Sequence, residues 1–288
     1  PYPIDDLYRA DDFLGDLLAM HDGEEEEGLT TGFACLDPYM KLTGDGKLMV
    51  VTGIPSHGKS EFIDQLAINY ARKHEWATAY CSFENPPKYH VRKLIEKYLD
   101  KPFKQVYPGG QEGMTRDEVR EAVAWINDYF AFMVPGSKPP NLDWIMDKLE
   151  AAVVRYGIRL AVVDPYNRIE HTRDSKHQTD NEFVARFLDR LQRMAVAHGF
   201  DVIVIAHPTK LKPDTEGKEP VPTPYDISGA AHWYNMPDWC IAVWRDKKDS
   251  TEPVQVHVQK VKWKHLGKDG IAEFQWRRSS GVYTGIPH

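Results

Sequence analysis

The sequence predicts an α/β fold in which a mainly parallel, doubly wound central sheet is extended by antiparallel strands near the C-terminus. Three observations carry that expectation. Short apolar runs alternate with stretches of helical periodicity, the pattern produced when helices cross between parallel strands. One run, KLMVVTG, flows into the glycine-rich segment GIPSHGKS and then into the helical KSEFIDQLAINYARKH, giving a strand, a loop and a helix in order. The last third turns to strand-like runs, WCIAVWRD, VQVHVQKVKW and IAEFQWRR.

The 288 residues, 42% hydrophobic and 27% charged, are enough to bury a sizeable core as one domain with a short appendage. No apolar run approaches the roughly 18 residues of a membrane-spanning helix, and the start, PYPIDDLYRADD, is acidic where a signal peptide would be basic. Cys35, Cys81 and Cys240 lie far apart without CxxC spacing, which argues against a disulfide framework or a zinc site and for an intracellular, soluble setting. A net charge of −7 argues against a broad electrostatic grip on duplex DNA, though not against a local basic channel. The chain opens on proline, with no methionine, which predicts a piece of something longer.

Residues 4 to 20 place Ile4, Leu7, Tyr8, Phe13, Leu14, Leu17 and Leu18 at helical spacing and predict a short amphipathic helix, followed by an acidic linker from Glu24 to Glu27. Residues 1–28 are therefore read as a linker segment and 29–288 as the main domain. After the GIPSHGKS helix comes the strand ATAYCSFE at 77 to 84, then Pro86 and Pro87 opening a helix through Lys101. Helical patterns near 115 to 129 and 141 to 156 flank the short strand AFMVP. RLAVVDP is a strand ending at Asp164, a helix covers 179 to 198, and FDVIVIAHP is a strand ending at His207. The proline-rich stretch 208 to 224 must be loop.

In GxxxxGK(S/T), glycines let backbone N–H groups turn onto phosphates, the lysine reaches the terminal phosphates, and the hydroxyl ligates Mg²⁺. Gly53, Gly58, Lys59 and Ser60 fill those positions, so Gly53, Ile54, Pro55, Ser56, His57, Gly58, Lys59, Ser60 and Glu61 are predicted to hold ATP or another NTP with Mg²⁺. Asp164, ending an apolar strand, fits a Walker B carboxylate that joins Ser60 in holding the metal. Glu84, ending another, could polarise the attacking water as a general base. A histidine at His207 could hydrogen-bond the terminal phosphate and report hydrolysis to the loop behind it.

From Leu29 to Tyr283 the order GLTTGFACLD, GIPSHGKS, SFEN, VVDPYN, AHPTK, DISGAAHWYNMPD and KVKWKHLGKDG resembles the hexameric replicative helicases of the DnaB type, and more closely their Twinkle and phage primase-helicase branch. AHPTK followed by DISGAAHW is the most specific part. The resemblance implies a RecA-like P-loop NTPase acting as an ATP-dependent DNA helicase motor in a homo-oligomeric, hexameric ring. It implies that Glu84 is the catalytic glutamate, Asp164 the Walker B residue and His207 the sensor. Lys210 and Lys212 of the loop after His207, with Ser228 and Gly229, would then face single-stranded DNA. The family's trans-acting Lys-x-Arg pair matches Lys260 and Lys262; lysine lacks the guanidinium's bidentate fork, and Arg245 is a second candidate for the finger. Trp276 matches an aromatic that would stack on adenine. The helix at 4 to 20 matches a linker that docks on a neighbouring subunit, and the resemblance admits a primase domain on a preceding segment.

Two other classes stay open on the residues alone: a RecA-like recombination or filament ATPase that grips DNA without unwinding it, and an ATP-dependent scaffold with no nucleic-acid contact. Metal-based nuclease or primase chemistry finds no second carboxylate cluster or zinc spacing here.

Overall fold

The computed structural model describes residues 7–24, 27–84, 86–105, 108–136, 139–170, 179–215, 217–249 and 251–287. Ile4, Glu25, Glu26 and Asn85, which figure in the sequence reading, lie outside them. The described residues form a nine-stranded sheet in the order β3-β2-β4-β5-β1-β6-β7-β8-β9. The strands are β1 (Leu48–Thr52), β2 (Ala77–Ser82), β3 (Phe130–Phe132), β4 (Ile158–Asp164), β5 (Asp201–Ile205), β6 (Trp239–Trp244), β7 (Val254–Val261), β8 (Gly270–Trp276) and β9 (Tyr283–Gly285). The helices are α1 (Leu14–Ala19), α2 (Lys59–His74), α3 (Pro87–Leu99), α4 (Arg116–Tyr129), α5 (Leu142–Tyr156), α6 (Asp180–His198) and α7 (Ala230–Asn235).

Strand alternation sorts the core into two layers. On β1, Met49 and Val51 join Tyr80, Leu160, Val162, Ile203 and Ile205 beneath α2, α3 and α4. Leu48 and Val50 join Ala79, Cys81, Val163, Val202 and Val204 beneath α5 and α6. Both faces of the central strands are thus dry, which is why they read as unbroken apolar runs rather than as alternating ones. Helix ends are set locally: Thr115 and Thr179 accept from the backbone of Glu118 and Glu182 in reciprocal capping boxes, and α6 stops at Gly199, whose φ of 68° suits glycine.

The expected elements are present, with differences in pairing, in extent and in two short additional elements. WCIAVWRD, expected among the antiparallel closing strands, is β6 and pairs parallel with β1; only β7, β8 and β9 run antiparallel. β9 and the one-and-a-half-turn α7 carry too few residues to show a period of their own. The strands expected to reach Glu84 and His207 end at Ser82 and Ile205, and the helix expected through Lys101 ends at Leu99, where Asp100 takes φ 49°. The N-terminal helix is regular only over α1, between a 3₁₀ turn and a wider turn. Its apolar residues face solvent: Leu14, Leu17 and Leu18 are 53%, 54% and 54% exposed, so it does not fold back onto its own domain.

Two buried carboxylates fix where β1 begins. Asp201, at the start of β5, accepts from the backbone N–H groups of Thr43 (3.1 Å), Gly44 (2.9 Å), Gly46 (3.3 Å) and Lys47 (2.9 Å). Asp238, just before β6, accepts from Leu48 N (2.9 Å), Gln192 Nε2 (3.1 Å) and Trp263 Nε1 (3.0 Å). Replacing Asp201 by alanine strands four buried or half-buried donors, and is expected to lower the unfolding free energy by about 3 kcal/mol or more, measurable by chemical denaturation.

Candidate functional site

The carboxyl ends of β1, β2, β4, β5 and β6 converge, as a doubly wound sheet dictates, and the segments leaving them carry the predicted polar residues. Pro55, Ser56, Gly58, Lys59, Ser60, Glu61, Glu84, Lys93 and His207 line one cavity of about 490 Å³. The strand at the centre of the sheet delivers the loop. Gly53 and Gly58 adopt φ of 151° and 99°, and a Cβ on Gly58 would lie 2.5 Å from the Tyr283 hydroxyl, so the loop needs glycine there twice over.

Lys59 donates to its own loop carbonyls, Gly53 O at 2.6 Å and Ile54 O at 3.1 Å. Burial pushes its pKa down to about 8, against the opposing pull of Asp164 and Glu84. Asp164 is pushed up to about 6, chiefly by burial, while the nearby Ser60 hydroxyl works the other way. The two groups predicted to share a divalent cation therefore lie near one another. Glu84, 42% exposed at the cavity, receives a long 3.4 Å hydrogen bond from Arg168 Nε. His207 is anchored by its backbone N–H to Asn167 Oδ1 (2.9 Å), and burial together with Lys59 lowers its pKa toward the neutral imidazole.

Two residues of the predicted nucleotide-binding segment behave differently from expectation. The buried His57 side chain turns away from the cavity: Nδ1 accepts from Arg245 N (3.3 Å), so the proton of the neutral ring sits on Nε2 and donates to Glu219 at 2.8 Å. Burial lowers its pKa, in keeping with that neutral form. Glu61 is held by Lys93 (2.7 Å) and Lys97 (2.5 Å), and its negative carboxylate offers a phosphate no donor. Pro55 O is capped by Lys247 Nζ at 2.9 Å.

Arg245 and Trp276 meet, guanidinium carbon 5.6 Å from the ring centre, in a neighbouring cavity of about 680 Å³ beside the loop. Lys260 and Lys262 are elsewhere. Lys260 pairs in register with Cys240 near the start of β6, at the end of the sheet opposite the glycine loop, and bonds Tyr234 O (2.5 Å) and Asn235 O (3.1 Å). Lys262 pairs with Asp238 at 3.4 Å. The geometry thus separates the two finger candidates: Arg245 sits at its own chain's loop, the lysines far from it. Lys210, Lys212 and Ser228 are exposed, and Gly229, with φ 88°, opens α7. Pro208 bridges Ile227, and Thr209 N donates to Asp226 O at 2.7 Å, binding the two candidate DNA segments together. Lys93, Arg168 and Tyr283 were not legible in advance, because each reaches the site through contacts distant in sequence.

A glycine loop between a buried strand and a helix, with a lysine, a hydroxyl–carboxylate pair and a glutamate around one cavity, defines a P-loop nucleotide-binding domain. The chain belongs to the AAA domain family, which matches residues 18–213. It is 37% identical over 294 residues to the Twinkle homolog protein, chloroplastic/mitochondrial, of Arabidopsis thaliana, covering 100% of this chain and 41% of that protein. It is 21% identical over 208 residues to a probable plasmid replicative DNA helicase of Chlamydia psittaci, covering 72% of this chain and 44% of that protein. The chain thus spans less than half the length of these curated relatives. The fold matches a separately solved ATPase domain (TM-score 0.79, 16% identity, 98% of this chain and 100% of that one). It also matches a DnaB-like replicative helicase solved in a study of its interactions with primase (TM-score 0.78, 16% identity, 97% and 69%). The motif-based resemblance is borne out, and the fold is RecA-like. No described helix is long and apolar enough to cross a membrane.

Replacing Gly58 by alanine is expected to weaken nucleotide binding at least tenfold in a calorimetric titration while far-UV circular dichroism stays unchanged. Adding Tyr283→Phe should not restore binding, because the positive φ remains unfavourable.

Proposed function

We propose that the chain is the motor domain of an ATP-dependent replicative DNA helicase, translocating on single-stranded DNA by NTP hydrolysis at subunit interfaces. One observation carries the reading most directly. His207 lines the nucleotide cavity, and the residues that follow it at once, Pro208 and Thr209, are joined to Ile227 and Asp226. One short segment therefore connects the phosphate end of the site to Gly229 and to the exposed Lys210, Lys212 and Ser228. Lysines and backbone N–H groups follow a phosphate backbone without reading sequence, as a translocating motor requires. A second link is the His57–Glu219 hydrogen bond, which ties the P-loop to the far part of the 208 to 224 loop.

In this reading the P-loop and Lys59 hold the phosphates, and Ser60 with Asp164 hold Mg²⁺, which when bound neutralises phosphate charge. The nearness of these two oxygens, with Asp164 destabilised as a buried carboxylate, suits a cation. Glu84 deprotonates and aims the water, with Arg168 keeping its carboxylate at the cavity between turnovers. Neutral His207 senses the terminal phosphate. Arg245 and Trp276 flank the base on the same chain. Lys260 and Lys262, far from their own loop, serve a second copy's nucleotide, and the exposed apolar face of α1 docks on such a copy, so the working form is a homo-oligomeric, hexameric ring.

Steady-state ATPase assays with and without single-stranded DNA test the proposal. The wild type should be stimulated several-fold, and Glu84→Gln should lose about 10²-fold or more of the rate while still binding nucleotide. A flat response to DNA from an assembled oligomer would favour the scaffold reading, and stimulation without strand separation would favour a filament ATPase. Glu219→Ala, which leaves His57 Nε2 buried without its acceptor, is expected to cut the DNA-stimulated rate about threefold or more and to spare the unstimulated one.

A further inference from the structure

The cavity contains one cation to which the functional reading gives no task. Lys93 and Lys97 stand one helical turn apart on α3, so both ammonium groups reach the same partner, Glu61, which follows Ser60 directly on α2. Lys93 Nζ lies 2.7 Å from Glu61 Oε1, and Lys97 Nζ lies 2.5 Å from Oε2. Two positive charges thus face one carboxylate, and the trio carries a surplus of one.

The two lysines are not equivalent. Lys97 has 0% side-chain exposure, donates also to Gly281 O at 2.5 Å, and lies 5.9 Å from the Tyr283 ring centre. It is sealed in place. Lys93 is 35% exposed and lines the same cavity as Lys59, Ser60, Glu84 and His207. The surplus charge is therefore presented to the cavity. Lys93 can also leave Glu61 at low cost, because Lys97 stays behind to neutralise that carboxylate, and an ammonium on a four-carbon stem exchanges one oxygen partner for another readily. An anion entering the cavity gains a charge-assisted hydrogen bond without leaving an unpaired buried charge behind.

We propose that Lys93 is a second phosphate-binding cation, acting within its own chain on the terminal phosphate and so setting the preference for nucleoside triphosphate over diphosphate. Resting on the nucleotide-site reading above, it assigns the two lysines separate places. Lys59 works from the loop, against Gly53 and Ile54. Lys93 works from α3, into the cavity that Glu84 and His207 also line, the residues placed where hydrolysis occurs. A cation supplied in cis also complements a trans pair made of lysines, which lack the guanidinium's fork.

The test is calorimetric titration of the wild type, Lys93→Met and Lys93→Arg with adenylyl imidodiphosphate and with ADP, each in Mg²⁺, alongside melting temperatures without nucleotide. Expected are a loss of about tenfold in triphosphate affinity for Lys93→Met, less than a twofold change for ADP, recovery in Lys93→Arg, and little change in melting temperature. Equal weakening of both nucleotides, or a fall in melting temperature with the triphosphate preference intact, would make Lys93 a structural anchor of α3 and overturn the proposal. Unchanged binding of both would overturn it as well. A wild type that binds neither nucleotide would instead overturn the nucleotide-site reading, and this inference with it.

Discussion

The molecule depends on holding the start of one short strand. β1 has only five residues, yet it lies at the middle of the sheet and releases the P-loop from its far end. A slip of one residue would exchange the two buried faces of the strand and withdraw the loop from the neighbouring strand ends. Asp201 and Asp238 prevent this from opposite sides, one at β5 and one at β6, by accepting the backbone N–H groups of Thr43, Gly44, Gly46, Lys47 and Leu48. Their burial is tolerable because nearly every acceptor position is used, and removing such a partner exposes the whole desolvation cost of what it held. Rigidity at one end of β1 becomes precision at the other.

What could be read from the chain follows from what is local. The P-loop and its flanking strand and helix are consecutive, and the buried parallel strands declare themselves by composition, so the sheet and the strand-end residues Glu84, Asp164 and His207 were accessible. Direction was not: β6 has the same apolar pattern whether it runs with or against β1, and only the connection around Asp238 decides. The roles of His57 and Glu61 were hidden for a similar reason. Their partners, Glu219 for the first and Lys93 and Lys97 for the second, lie 162, 32 and 36 positions away, and nothing in the GxxxxGK(S/T) spacing announces a side chain that turns outward. Lys93 reads as one more solvated charge on an amphipathic helix until the fold brings it to the cavity.

The nucleotide cavity and the candidate DNA segments are joined by short physical links rather than by distance alone. His207 passes directly into the Pro208–Ile227 bridge, and His57 reaches Glu219 at the other side of the same loop. A loop gripped at both ends by residues of the site has little freedom to move independently of it. Burial lowers the pKa of His57, so its grip on Glu219 is a directional hydrogen bond rather than a mobile charge.

The position of Lys260 and Lys262 has a consequence for symmetry. On the trans role proposed for these lysines, a chain that holds nucleotide at one end of the sheet and supplies cations from the other offers two unlike faces, and a two-fold pair of copies would bury like against like and leave both unfinished. Under that proposal productive contact is heterologous, front to back, and every added copy completes one site while opening another. Such an arrangement ends only when rotation brings the last copy to the first. The angle between successive copies, rather than any residue at the nucleotide, is then what separates a closed assembly from an endless helical one.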